Sequence, residues 1–308
     1  MPTDRLIVVD GEALFHLVPA SGGDLAAHPG GAAFSTARAL GRLGHSVAYL
    51  GRISRDRFGA RLLELLAADG VSLDAVVRTD DPTTLALVEL DAAGAASYRF
   101  YDQGTSAPGL TEADALAAVP PGAEFLHVGT LGLVLEPMAA ALERLAARLA
   151  GEALLMVDPN CRPATARAGL RERLERVLAL ADVVKVSEED LAWLEPDVPA
   201  IAAARALLDG GPALVLLTRG GDGAVAIGRG LEAVVPTPAV DVVDTIGAGD
   251  AFSGGWLAHW AGRGLGRAEL ADADAVVAAT RFACRVAALT CARAGASPPH
   301  RADLDQAV

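Results

Sequence analysis

Cysteine is scarce in this chain and basic residues are outnumbered. Cys161, Cys284 and Cys291 are too few and too scattered for a disulfide framework or a zinc cluster, so a reducing cytoplasm is the expected setting. Lys and Arg number 26 against 39 Asp and Glu, for a net charge of −13. Nucleic acid and anionic membranes both demand a basic footprint, and neither is expected as a partner. Any phosphate site must therefore be local, made from backbone N–H groups, a metal or a few cations. Aromatic residues amount to only 4%, which disfavours an aromatic-rich binding module. No uninterrupted apolar run reaches the roughly 18 residues of a membrane span. The first ten residues include Asp4 and Arg5 and lack an apolar targeting core. No Gly-x-Gly-x-x-Gly follows the first apolar run, which argues against a nicotinamide-dependent dehydrogenase.

What is present is an Ala-, Leu- and Val-built chain of 308 residues, 52% apolar, enough for one large α/β domain with an appendage. Short apolar runs at Leu6–Val9, Phe125–Val128, Leu154–Val157, Val183–Val186 and Ala213–Leu217 read as buried parallel strands. Amphipathic stretches separate them: Met138, Leu142, Leu145 and Leu149 fall on one helical face. A different texture occupies Pro82–Tyr101, where Thr84–Leu90 and Ser97–Tyr101 flank the turn Asp91–Gly94 as an antiparallel hairpin. With a further strand at Gly11–Val18, these pieces predict a small β lid from about 11–29 and 82–103. The α/β body then takes 1–10, 30–81 and 104–308, with Gly22–Gly31 and Gly104–Pro108 as returns between layers. Glu269–Arg293 reads as one long helix.

In open α/β sheets, ligands gather beyond the carboxyl ends of the strands. Asp158 with Asn160, Ser187 with Glu188, and Thr218 with Arg219 follow strands in this way and should face one crevice. The segment Val240–Gly255 says most about chemistry. Phe252, Trp256 and Trp260 recur every four residues, so a helix starts close to Gly249. Gly247 and Gly249 allow a tight turn whose N–H groups, with the helix dipole, make an anion pocket. Asp250 lies in that first turn, placed to take a proton from an attacking hydroxyl while the N–H groups hold the transferring phosphoryl. Its plain alternative is a helix cap.

Asp244-Thr-Ile-Gly-Ala-Gly-Asp250 resembles the C-terminal signature of the ribokinase-like (PfkB) carbohydrate kinases, and Gly30-Gly31-Ala-Ala-Phe-Ser35 through Gly44 resembles the N-terminal one. The similarity extends to Gly51–Gly59, Asp158–Pro163 and Arg293–Ala296. The resemblance implies a Rossmann-like body under a β lid, with transfer of the γ-phosphoryl of ATP to a hydroxymethyl group in the presence of Mg2+. It makes Asp250 the base and Gly247, Ala248 and Gly249 the anion hole. It assigns Lys185, Ser187, Thr218, Gly220, Gly223 and Gly249 to the nucleotide, although Thr218–Gly223 also reads as an ordinary hairpin turn. Ser187-Glu-Glu-Asp190 stands where relatives carry Asn-x-x-Glu; Asp190 would attract magnesium through water, or simply sit in the first turn of the next helix. Relatives also bind a monovalent cation through carbonyls near positions matching Asp244 and Gly295, which leaves K+ as an option.

On the substrate side the resemblance points to Glu12, His16, Gly30, Gly31, Ser35, Arg99, Tyr101, Arg162 and Asp250, closest to fructokinase and 2-keto-3-deoxygluconate kinase members. His16 replaces the usual Asp and Ser35 the usual Asn. A neutral imidazole offers one donor and one acceptor where a carboxylate accepts twice, so a sugar acid, a nucleoside or another sugar-like acceptor stays open beside fructose. In Tyr98-Arg99-Phe100-Tyr101 one alternating pair should line the pocket, and an Arg fork suits a carboxylate. The other reading of these aromatics is burial against a second subunit, a homodimer through the lid. A surface ion pair is the alternative for Arg162. A sugar or nucleotide sensor that retains the fold without catalysis is the rival of another class.

Overall fold

The computed structural model describes residues 5–90, 96–161 and 166–306. In chain order its strands are β1 (Leu6–Asp10), β2 (Leu14–Pro19), β3 (Leu25–Gly30), β4 (Val47–Ser54), β5 (Val76–Thr79), β6 (Leu85–Leu90), β7 (Ala96–Tyr101), β8 (Ala123–Gly129), β9 (Leu154–Asp158), β10 (Val183–Ser187), β11 (Leu214–Thr218), β12 (Ala224–Gly228) and β13 (Leu231–Val235). The helices are α1 (Ala32–Arg42), α2 (Arg57–Ala68), α3 (Glu112–Ala118), α4 (Met138–Leu149), α5 (Leu170–Leu178), α6 (Glu188–Leu194), α7 (Ala200–Asp209), α8 (Ala248–Gly262), α9 (Ala273–Cys291) and α10 (Arg301–Gln306).

Nine strands make the large sheet, in the order β13, β12, β11, β10, β9, β8, β1, β4, β5. Pairing is parallel from β5 to β11 and antiparallel at β12 and β13. Strand alternation splits the core into two layers. Val8, Leu155, Val157, Val184 and Val186 face one cluster with α3 to α7, while Ile7, Val9, Leu154, Met156 and Val183 face the other with α1, α2, α8, α9 and α10. Both faces are covered, which is why these strands read as unbroken apolar runs.

The helix α8 is buried over most of its length and packs against both α1 and α9. A side chain at Gly254 would come within 2.8 Å of Ala39 Cβ, and one at Gly255 within 3.0 Å of Val286 Cβ, so both contacts depend on glycine. Trp256 and Trp260 stack at 4.6 Å on the buried side. This packing fixes where the amino end of α8 points.

The lid is a four-stranded sheet, β3, β2, β6, β7, with β2 and β6 parallel and the outer pairs antiparallel. The expected hairpin is β6 and β7; its turn at Asp91–Gly94 lies outside the described residues. Val47–Ser54, to which the sequence reading assigned no element, is a full strand. Two expectations need correction. Gly22–Gly31 is not only a return, because β3 pairs along the whole of β2. The long C-terminal helix begins only at Ala273, where the Asp272 side chain accepts from Asp274 N at 3.0 Å and Ala275 N at 3.2 Å.

Asp10 ends β1 in full burial, and neither of its carboxylate oxygens has a hydrogen-bond partner among the described residues. Burial, with Glu12 nearby, holds its carboxyl well above the usual range. Such a group is neutral in the fold and ionised in the unfolded chain, so its cost to stability grows as pH rises from the ordinary carboxylate value toward the folded one. Asp10→Val is expected to raise Tm at about pH 8 by at least about 3 °C, with a smaller gain in acid. Thermal unfolding at both pH values checks this, and an equal or lower Tm at the higher pH would contradict it.

Candidate active site

The amino end of α8 opens on the crevice at the carboxyl ends of β9, β10 and β11. Gly247, at φ 78°, turns the chain into the helix, and a side chain there would meet Ala296 Cβ at 2.7 Å. The approach to the turn is fixed by Asp244, which accepts from Ile246 N at 3.0 Å and from Gly295 N at 2.9 Å. Cys291 O accepts from both Val243 N and Asp244 N. The 244 and 295 segments thus meet. Ala248 N donates to Thr245 O at 3.3 Å, which closes the turn, and the first turn of α8 presents the helix's positive end to the crevice.

Behind the turn lies a buried ammonium. Lys185, on β10, pairs with Asp158 at the end of β9 at 3.0 Å, and Ser253 donates to the same carboxylate oxygen at 3.4 Å. A side chain on Gly249 would stand 2.9 Å from Lys185 Nζ, so glycine lets the turn rest on the charge. Burial works against that charge, but Asp158, Asp190 and Asp250 together hold the Lys185 ammonium above its ordinary range. Lys185 was expected at the nucleotide. It is only 5% exposed, and its nearest partners are the carboxylate of Asp158 and the underside of the anion turn.

Ser187 and Asp190 form a capping box on α6. Asp190 Oδ2 accepts from Ser187 N and Ser187 Oγ, both at 2.6 Å, and Ser187 Oγ accepts from Asp190 N. Asp190, expected to attract magnesium through water, is fully buried and closes the α6 cap through Oδ2. Among the described residues no group of three acids, histidines or cysteines is placed to hold a metal ion. Thr218–Gly223 is the tight turn between β11 and β12, closed by Arg219 N donating to Gly223 O at 2.8 Å. Gly223 is required there, since a side chain would approach Val235 O to 2.1 Å. Gly220 has open space beside it, Thr218 donates to Val186 O, and Arg219 pairs with Glu188 at 3.1 Å.

The substrate-side glycines lead into α1. Buried Glu12 accepts from Ala32 N at 2.8 Å, and its burial pushes the carboxyl up to about 7. Gly31, at φ 110°, passes so close to Glu12 O that a side chain would come within 2.5 Å. Ser35 is buried on the same helix, and the neighbouring Thr36 donates to Asp250 O at 3.3 Å, tying α1 to the turn that carries the expected base. Asn160 and Thr130, both at positive φ, meet at 3.4 Å at the ends of β9 and β8. Strain of this kind in two non-glycine residues at strand ends is typical of functional sites.

His16 sits on the inward face of the lid, with Nε2 directly over Gly30, where a Cβ would be 2.4 Å away. Its ring meets Tyr98 edge-on at 5.8 Å. Burial, then His28, depresses its pKa to about 4, so the imidazole is neutral at physiological pH. The register pairs His16 with Ala86 and Ala86 with Phe100, which puts Tyr98 and Phe100 on the His16 face. Arg99 and Tyr101 therefore occupy the outer face, Arg99 beside Glu89 and Tyr101 52% exposed, and their expected substrate role is corrected. Alternation had marked the two pairs without saying which turned inward. Arg162 lies outside the described residues.

The sequence matches the family described as pfkB family carbohydrate kinase over residues 4–303. It is 39% identical over 261 residues to a fructokinase of Rhizobium leguminosarum bv. trifolii, covering 82% of this chain and 79% of that one. Among solved structures, a fructokinase with bound ATP from Xylella fastidiosa superposes with a TM-score of 0.89 at 30% identity, covering 99% of both chains. A Vibrio cholerae O395 fructokinase bound to fructose, ADP and calcium ion gives 0.88 at 26% identity, covering 98% of both chains. A match spanning both sheets and every crevice segment described above places this chain in the pfkB carbohydrate kinase family, as an ATP-dependent sugar kinase.

Proposed function

We propose that this kinase transfers the γ-phosphoryl group of ATP to a hydroxymethyl group of fructose or a closely similar neutral sugar, with Asp250 as general base. The observation that carries the reading is the placement of Asp250 in a glycine turn backed by the Lys185 ammonium and tied through its carbonyl to α1. Asp250 takes the acceptor proton, and the N–H groups of Gly247, Ala248 and Gly249 meet the charge developing on the phosphoryl oxygens. Lys185 adds positive potential from below without leaving its ion pair. Gly220 and Gly223 shape the nucleotide side, and Gly30, Gly31, Glu12 and Ser35 the acceptor side. Closure of the lid would exclude water and limit ATP hydrolysis.

Magnesium would travel with the nucleotide phosphates, since the described residues offer no carboxylate cage and Asp190 is committed to its cap. A monovalent cation would bind backbone carbonyls where the 244 and 295 segments meet. The lid offers a sugar acid no counter-ion, because Arg99 faces away from His16 and the inner lid residues His16, Tyr98 and Phe100 carry no positive charge. The outer lid face carries Leu25, Tyr101 and Leu87, the first two more than half exposed, and we assign this face to a homodimer. No described helix is long and apolar enough to cross a membrane. The three cysteines form no disulfide among the described residues, two of them are buried, and we place the protein in a reducing cytoplasm.

With Mg-ATP and a panel of ketoses, sugar acids and nucleosides, fructose-like neutral sugars should gain one phosphate by mass spectrometry. Asp250→Asn should lower turnover on the order of 10²-fold or more while ligand-induced thermal shifts persist. Undiminished transfer by that variant would remove Asp250 from the role of base, and thermal shifts with no transfer by the parent protein would favour a sensor. His16→Asp restores an acceptor for two hydroxyls and should lower the KM for fructose by about five- to tenfold. An unchanged KM would place His16 outside the sugar contact. Leu25→Glu combined with Tyr101→Glu should convert a dimer to a 31.4 kDa monomer in sedimentation equilibrium; a dimer that survives the pair would relocate the interface.

A further inference from the structure

We propose that Asp56 is a positioning residue for phosphoryl transfer, and that the segment Gly51–Gly59 is the seat on which the lid is held over the acceptor. Two of the four lid strands, β6 and β7, reach the body through a double crossing at Pro82–Thr84 and Asp102–Ser106. The crossing is stitched into one unit. Thr84 Oγ1 and Thr105 Oγ1 share a hydrogen bond of 2.8 Å, Ser106 N donates to Pro82 O at 2.8 Å, and Ala107 N donates to Thr84 Oγ1 at 3.2 Å.

Three side chains of Gly51–Gly59 hold this unit and the first lid strand. Asp56 Oδ2 accepts from Thr83 N at 2.8 Å, and its Oδ1 accepts from Thr83 Oγ1 at 2.7 Å. The same Oδ1 accepts from Gly59 N at 2.7 Å and so caps α2. Arg52 donates to Asp81 at 2.6 Å and to Ser106 O at 3.4 Å, touching both sides of the crossing. Phe58 lies 4.6 Å from Phe15 of β2. The glycines make the compact path feasible: a side chain on Gly59 would come within 2.0 Å of Ser54 O, and one on Gly51 within 2.6 Å of the Tyr49 hydroxyl. Burial works against the Asp56 charge, but hydrogen bonds from Gly59, Thr83 and Ser54 hold its carboxyl below the ordinary range, so it acts as an ionised acceptor at physiological pH. A cavity of about 530 Å³ beside the crossing, lined by Arg52, Asp81, Asp102, Gly104 and Thr105, leaves the crossing room to swing if the anchor is lost.

None of these residues is among those placed at the crevice above, so Asp56 acts through the lid. Loosening the crossing displaces His16 and Tyr98 relative to Asp250, which weakens acceptor binding and admits water to the phosphoryl group. The inference rests on the lid closing over the acceptor. Phosphoryl transfer by the parent protein tests the kinase reading, whereas the ratio of each variant to the parent tests the anchor. Asp56→Asn keeps an oxygen for the α2 cap but sets an amide donor against Thr83 N–H. Thr83→Val leaves the cap untouched and removes only the hydroxyl contact.

For Asp56→Asn the acceptor KM should rise about tenfold, and ADP formed per sugar phosphate at least about threefold, with the KM for ATP within about twofold of the parent. Thr83→Val should move the same two quantities in the same direction by less, and the double variant should change them by less than the product of the single effects. A lowered Tm with acceptor KM and coupling unchanged in both variants would reduce Asp56 to a helix cap and overturn the proposal. Equal rises in the KM for ATP and for acceptor would also overturn it.

Discussion

The active crevice depends on one buried charge. Lys185 is held beneath the first turn of α8 by Asp158, and desolvating an ammonium is costly enough that such a group persists only where carboxylates and close packing compensate. The geometry around it follows. Glycine at 249 lets the turn above lie against the ammonium; Ser253, one turn further along α8, reaches the same carboxylate; and the helix behind is narrow at Gly254 and Gly255, where it settles between α1 and α9. The favourable potential at the amino end of α8 therefore has two sources, the helix dipole and a fixed cation below it, and neither requires a basic surface on an acidic protein.

The body was the legible half of the fold. Five of its parallel strands are apolar runs because both faces of that sheet are covered, and the four-residue spacing of Phe252, Trp256 and Trp260 marked α8 directly. Elements that carry glycine, arginine or proline among their apolar residues were harder to read. The strand β4 holds Gly51 and Arg52, and β3 runs through His28, Pro29 and Gly30. Their pairing is decided by partners distant in sequence, not by local pattern.

Within the site, the sequence assigned Asp250 and the anion turn to one crevice with the glycines that lead into α1, and the structure ties α1 to that turn through Thr36 and the Asp250 carbonyl. It was less informative wherever a side chain has two chemically valid uses. Asp190 in a Ser-x-x-Asp array serves as well for a reciprocal cap as for a cation, and burial selects the cap. Tyr98 and Arg99 differ only by strand parity, which is fixed by the register of β6 against β2, a contact between segments that a local pattern does not encode. Asp56 appeared in a recognisable segment with no task attached, because its partner Thr83 comes from the far side of an intervening helix and strand.

The parallel pairing of β2 with β6 has a consequence for how the protein comes into being. Phe15 pairs with Leu85, so the two central lid strands meet only after the whole of β3, α1, β4, α2 and β5 has been threaded between them. Closing so long a loop costs chain entropy that the small lid sheet cannot repay alone, whereas the prior docking of α1 and β4 on β1 brings both strands into range. The body thus acts as the template for its own cover during folding. Contacts within the lid belong to the late part of that process, and weakening them will speed unfolding more than it slows folding.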